Sequence, residues 1–359
     1  MKVLVHGANL SAKEKHRTKY KDSESQKYLA EIRANYNEWH TKNMELVGPS
    51  VASSENDLQL IKERVALFED YKAFLDQQHY AEKIDSRSNL HSSALEEFMY
   101  YLFKDLLSDF GKQALAGKSE VFKDIFFAPS SYSQMLAKPS GTIETKDHDF
   151  IIGVTVQASL QTTEPGITIA KEGSKKVEQL EHLSIDTSVE ASESVSSIEQ
   201  EEDIEQKEDN DLERSFTVSP ENLSDFSKTL GTGNAEIHFF DIPAVVIECK
   251  TYLDKTMLEG SSRAAEELKA RNPNALYIVV MEWIKLSNAV NLRKYKVDQI
   301  YVLRKQKNTD REKRYLETYA KNTIDSDVVA HLFRTVHKHL TTDWVGGVEH
   351  GLKRGWLLD

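Results

Sequence analysis

The stretch "AVVIECKTYLDK", residues 244–255, carries Glu248 and Lys250 at the end of the apolar run Ala244-Val245-Val246-Ile247. A run of β-formers of this kind makes a buried strand. Side chains at i and i+2 of a strand share a face, so Glu248 and Lys250 point one way while Ile247 and Cys249 point the other. An acid and a base on one spot of an otherwise greasy strand cost free energy unless partners meet them, and a metal ion and a phosphate are the partners that want both charges. An isolated E-x-K tripeptide is a strand end with its own ion pair. Here the context is different: a helix pattern, "LEGSSRAAEELKAR", follows, closed by Asn272-Pro273-Asn274, and then the apolar strand "ALYIVVMEW". Strand, helix and strand in that order place "AVVIECK" at the centre of an α/β sheet with helices on its faces.

A divalent metal at this spot needs a second acid, because a hard cation takes oxygen ligands, usually one or two carboxylates plus substrate phosphate. Asp149 opens the strand "FIIGV" and is the candidate; Asp147 has the same strand parity, and His148 faces away. Asp241, at the entry of the Glu248 segment, ranks lower. Glu96 is a fourth candidate. Ser93-Ala94-Leu95-Glu96 fits a capping box, which by itself explains the acid. At about 100° per residue, however, Glu96 flanks an apolar stripe with Phe103 and Leu107, whereas Glu97 falls opposite it. Cys249, the single cysteine, reads as a core thiol and rules out an intramolecular disulfide, in keeping with a reducing, cytoplasmic location.

Apolar residues recur at helical spacing from Asp22 to about His40 and from Asp57 to Phe74, and a third helix runs from about Ser93 to a stop at Gly111. The chain therefore divides into a helical N-terminal extension, 1–90, and a catalytic α/β domain formed by 91–161 and 235–341. Residues 162–234 read as an acidic insertion without a core, and 342–359 as a C-terminal tail. Between Glu178 and Glu213 fourteen acids face one Lys, so the formal charge of −12 belongs almost wholly to this insertion and the rest of the chain is close to neutral. No apolar stretch is long enough for a membrane span. Walker A, G-x-G-x-x-G, G-x-S-x-G and H-E-x-x-H patterns are all missing, which leaves nucleotide hydrolysis, dinucleotide binding, serine esterase and zincin chemistry without support.

An acid at the head of one strand and E-x-K at the end of its neighbour resembles the PD-(D/E)XK core of many type II restriction endonucleases, with Asp149 and Glu248-Cys249-Lys250 in the motif positions. Lys146-Asp147-His148 stands where a Pro is often found. The longer run from "IECKTYLDKTMLEGSSRAAEELKARNPNALYIVVMEWIKL" into "NLRKYKVDQIYVLRKQKN", about 243–310, is similar to the BbvCI kind of two-subunit restriction enzyme, with weaker similarity in "LSAKEKHRTKYK" and in the helix at 93–107. The resemblance implies a mixed sheet flanked by helices and a Mg²⁺-dependent endonuclease that cuts double-stranded DNA at a short asymmetric site. It also implies a second, related nuclease subunit in a heterodimer. Asp149 and Glu248 would hold the metal, and Lys250 would orient water or stabilise the growing charge.

Nine cations against three acids between Arg293 and Arg314 make a basic stretch suited to DNA phosphates, with Arg293, Lys294, Lys296, Arg304, Lys305 and Lys307 as the expected contacts. Base reading is expected from the loop "APSSYSQMLAKPSG", through Gln134 or Lys138.

Overall fold

The computed structural model describes residues 4–50, 54–84, 89–110, 114–126, 133, 140–161, 168–171, 235–307, 316, 318–342 and 352–355. The chain enters through helices α1 (Val5–Lys15), α2 (Ser23–Glu45), α3 (Glu55–Leu75), α4 (Gln78–Lys83) and α5 (Asn89–Phe103). Strands β1 (Ala114–Phe126), β2 (Ser140–Gln161), β3 (Thr168–Lys171) and β4 (Ala235–Leu253) follow. After them come α6 (Lys255–Lys269), β5 (Leu276–Ile284), β6 (Gln299–Lys307) and α7 (Ser326–Thr341). Short polar side chains set the helix starts by accepting backbone N–H groups that have no partner inside the helix: Asp22 from Ser25 at 3.0 Å, Ser54 from Asp57 at 3.0 Å and Asp254 from Met257 at 2.8 Å.

The sheet has the order β3-β2-β1-β4-β5-β6, with an additional β2–β4 pairing. β2 runs antiparallel to β1 and to β4, whereas β4, β5 and β6 are parallel to one another. The expected mixed α/β sheet flanked by helices is therefore present. β1 was not anticipated from the sequence, and β2 begins at Ser140, well before the expected start near Asp149. β3, which pairs with β2, lies inside the segment read as an insertion without structure. The rest of that segment, the loop expected to read bases apart from Ser133 and the first two residues of β2, Ser140 and Gly141, and most of the C-terminal tail lie outside the described residues.

Alternation along the central strands splits the core in two. Val245, Ile247, Cys249, Phe150, Ile152, Ile278 and Val280 face the N-terminal helices and α7, and share one continuous cluster with Leu29, Phe68, Phe98 and Phe333. Val246, Ile151, Tyr277, Val279 and Met281 face α6 through Leu258, Ala265 and Leu268. The N-terminal helices are thus an extension in sequence only; in space they form one cover of the sheet. Two polar clusters sit in this cover. Glu97, buried rather than turned outward, accepts the His6 and Gly7 N–H groups in the first turn of α1 at 2.9 and 3.3 Å and the hydroxyl of Tyr101. Lys72 of α3 pairs with Glu282 of β5, both fully buried, and Glu282 also takes Arg304 of β6 at 3.2 Å. No helix among the described residues is long and apolar enough to cross a membrane.

Candidate active site

β2 and β4 pair from Phe150 opposite Ile247 onward into the ribbon, and part just beyond. At the fork the backbone N–H of Cys249 donates to Asp149 Oδ2 at 2.9 Å. The β1–β2 ladder is irregular at the same place: Gly117 lies opposite Ile151 and Ser119 opposite His148, so Lys118 alone faces both Asp149 and Phe150. A bulge of this kind turns a side chain out of its strict alternation. Asp149 is half-buried at the fork, and Asp147 is exposed.

The Lys250 ammonium lies 3.0 Å from Asp149 Oδ2 and 2.7 Å from Glu248 Oε1. Glu248 Oε2 accepts the hydroxyl of Tyr277 at 3.2 Å. The three residues expected from the sequence are therefore within contact of one another. Burial and then the Glu248 charge raise the proton affinity of Asp149 against the opposing pull of Lys250. For Lys250, burial favours the neutral amine, yet Asp149 and Glu248 together outweigh it and hold the ammonium charged above its ordinary value.

Glu96 reaches this cluster from α5. The helix starts at Asn89, a full turn before Ser93, and the Ser93 hydroxyl bonds Asn89 O at 2.9 Å, so the capping box does not form. Burial, then the charge of Asp149, pushes the Glu96 carboxyl up to about 8, with Lys118 and Lys250 acting the other way. Lys118, exposed on β1 at the bulge, is a cation of this neighbourhood that strand periodicity gave no means of finding. His148, expected to face away, is buried with its ring edge-on to Tyr277, centroids 5.9 Å apart, because the bulge shifts its parity. Burial, then the nearby Lys146, depresses its imidazole to about 4.

Of the expected DNA contacts, Arg293, Lys294, Lys296, Lys305 and Lys307 are exposed. Lys294 lies over the Tyr295 ring, Lys305 pairs with Asp325, and Lys307 donates to Asn288 at 2.9 Å. Arg304 is a correction. Its side chain is 1% exposed, bound to Glu282 and Glu69 and to the carbonyl of Asn322 at 2.7 Å, so a DNA phosphate has no access to it. The cause is again a break in alternation. The β5–β6 register jumps from Met281 opposite Val302 to Trp283 opposite Gln306, and Lys305 adopts φ 47°.

The model of the Bpu10I restriction endonuclease family matches residues 87–165 and 184–357, most of the chain, and spans every residue of the cluster. A search of curated proteins finds no match. Among solved structures, a chain of the native BbvCI A2B2 tetramer superposes with a TM-score of 0.54 at 18% identity, over 93% of this chain and 94% of that one. At that identity the likeness speaks for the fold. The fork of β2 and β4, the E-x-K strand and the family match agree: the chain belongs to the Bpu10I restriction endonuclease family.

Proposed function

We propose that this chain is a type II restriction endonuclease subunit that hydrolyses one strand of double-stranded DNA at a short asymmetric site. Asp149 and Glu248 serve as ligands for Mg²⁺, and Lys250 and Glu96 complete the centre. The observation that carries this reading is the Lys250 ammonium, which bridges Asp149 and Glu248 at 3.0 and 2.7 Å: two carboxylates converge on a point that already holds a cation.

The donors suit the metal. All are hard oxygens, and burial, followed by the crowding of Asp149, Glu248 and Glu96, raises the proton affinity of two of them, an electrostatic debt that a divalent cation relieves. Among the described residues no group of three or more His, Cys, Asp or Glu is arranged to hold a metal ion. Mg²⁺ takes one or two protein carboxylates beside the substrate phosphate. Bound there, Mg²⁺ supplies Lewis acidity at the scissile phosphate and lowers the pKa of a coordinated water. The chain's own groups do the rest. Lys250, held protonated, donates to the attacking water or to the phosphate oxygen on which charge grows. Glu96 retains a proton near neutral pH and keeps the local charge from rising further. Arg293, Lys294, Lys296, Lys305 and Lys307 grip the DNA backbone, giving affinity and salt dependence. The fold shared with a chain of an A2B2 assembly supports a second, related subunit that contributes the centre for the other strand.

The test is incubation with supercoiled plasmid and MgCl₂, alone and with extract supplying a partner, with EDTA as control, read by sequencing the ends. Site-specific nicks or cuts that vanish with EDTA support the proposal. Glu248→Ala and Lys250→Ala should abolish cutting and leave DNA affinity within about tenfold, because phosphate contacts are spread over many side chains. Wild-type cutting by either variant sinks the assignment.

A further inference from the structure

Each of the two carboxylates keeps one hydrogen bond that does not depend on Lys250. Asp149 has the backbone N–H of Cys249 at 2.9 Å, fixed by the strand itself. Glu248 has the hydroxyl of Tyr277 on Oε2 at 3.2 Å, while Oε1 faces Lys250. Tyr277 is fully buried, and its backbone and ring are fixed by their own contacts. Its backbone N–H donates to Asp298 Oδ2 at 2.7 Å, and its carbonyl accepts the Asp298 N–H at 2.9 Å. Asp298 is tied in turn to Lys269 of α6, and the His148 ring packs edge-on against the phenol. The phenol hydroxyl donates to this carboxylate, which as an ion can only accept.

We propose that Tyr277 is a positioning residue that holds Glu248 in its ligating orientation once a divalent cation displaces the Lys250 ammonium from between the carboxylates. The argument rests on the reading of Asp149, Glu248 and Lys250 given above. An ammonium and a divalent cation repel at contact distance, so the partner that orients Glu248 in the resting site is the one that the metal drives away. Without Tyr277 the Glu248 carboxylate would then be free to rotate about its side-chain torsions, whereas Asp149 would still be pinned by the backbone. Hydrogen-bonding partners of metal ligands change metal affinity or activity by about 10–100-fold when removed. Tyr277 belongs to β5, so it links the metal-binding strand to the α6 side of the core.

The experiment titrates Mn²⁺ alone into the full-length chain and follows free Mn²⁺ by electron paramagnetic resonance, for wild type, Tyr277→Phe and Glu248→Gln. Subtracting the Glu248→Gln isotherm removes binding to other acidic segments. The expected result for Tyr277→Phe is a Glu248-dependent half-saturation raised about tenfold or more, with DNA half-saturation unchanged. Single-turnover cleavage should recover toward wild type as MgCl₂ is raised, which a merely structural lesion would not do. Tyr277→Met, which also fills the slot without a hydroxyl, serves should the Phe variant not accumulate. A wild-type Mn²⁺ half-saturation in the hydroxyl-free variant overturns the proposal while Glu248→Gln stays inactive. If Glu248→Gln instead cuts at the wild-type rate, the site assignment falls and takes this inference with it.

Discussion

Asp149 and Cys249 stand one hundred residues apart in the chain and are joined by a single hydrogen bond, 2.9 Å from the Cys249 N–H to Oδ2, where two strands diverge. Asn in place of Asp149 keeps an acceptor for that N–H but removes the charge. Asp149→Asn is expected to lower cleavage by at least about a hundredfold in single-turnover assays, the scale on which loss of a key electrostatic group acts. Because burial and Glu248 disfavour the ionised carboxylate in the fold, the variant should melt no lower than wild type in metal-free buffer. Calorimetry in EDTA checks this; a clear loss of stability would mean that Asp149 is structural.

Arg304 and Lys307 set a structural cation against a proposed DNA contact. Arg304→Ala removes one of the two cations paired with fully buried Glu282, together with the ion pair to Glu69, and should cost about 3–5 kcal/mol in urea unfolding. Lys307→Ala should leave stability within about 0.5 kcal/mol and reduce the slope of log affinity against log salt by about 1. Exchanged outcomes for the two variants would contradict the orientation of β6.

Glu96 makes stability depend on pH. Its folded-state pKa, about 8, lies above the ordinary carboxyl value of 4.5, so the native state binds the proton more tightly than the unfolded chain does. The stabilisation is complete below pH 4.5 and is lost as pH rises through 8. Glu96→Gln should flatten the melting temperature over this window in EDTA and raise it at pH 8, by roughly 2–4 °C per kcal/mol relieved. An unchanged profile would place Glu96 outside the charged cluster.

Gly153 sits where the β2–β4 register slips, and a methyl group there would meet the Ile242 carbonyl and lie 2.8 Å from the Pro243 Cα. Both are backbone atoms and have nowhere to retreat. Gly153→Ala should destabilise by about 1–3 kcal/mol. Because the same ribbon sets the spacing of Asp149 and Glu248, cleavage should fall more than DNA binding does. Equal losses in both would show that the ribbon serves folding alone.

The parts of this protein that were legible in the sequence are those governed by uninterrupted period. The apolar run into Glu248-Cys249-Lys250, the strand at 276–284 and the amphipathic stretches at 23–45 and 55–75 follow regular alternation or helical spacing, and pattern alone locates them. Reading failed where residues are added to a strand. The one-residue bulge opposite Lys118 turned His148 toward Tyr277, and at Trp283 two extra residues on β6, with Lys305 at φ 47°, accompany the inward turn of Arg304. Counting in twos does not follow a strand through such irregularities. Glu97 was misplaced for another reason: α5 is covered on nearly all sides, so Glu97 is answered by His6 and Gly7 from distant sequence and by Tyr101 one turn along the same helix, and no stripe marks it. Glu282 likewise looked like a strand residue among apolar neighbours, since its partners Lys72 and Arg304 lie far away in the chain.

The stacking of Phe103 on Phe333, ring centroids 5.6 Å apart, with Phe150 6.1 Å from Phe103, bears on how the protein is made. Phe150 is the residue next to Asp149, and Phe333 belongs to the last long helix. During synthesis the acids and the lysine emerge well before the ring that completes their support. A nascent or truncated chain thus carries the proposed metal-binding acids and lysine without the rigid seat that aligns them. Under the proposed function, translation order would act as a safeguard, withholding cleavage until Phe333 has joined the stack.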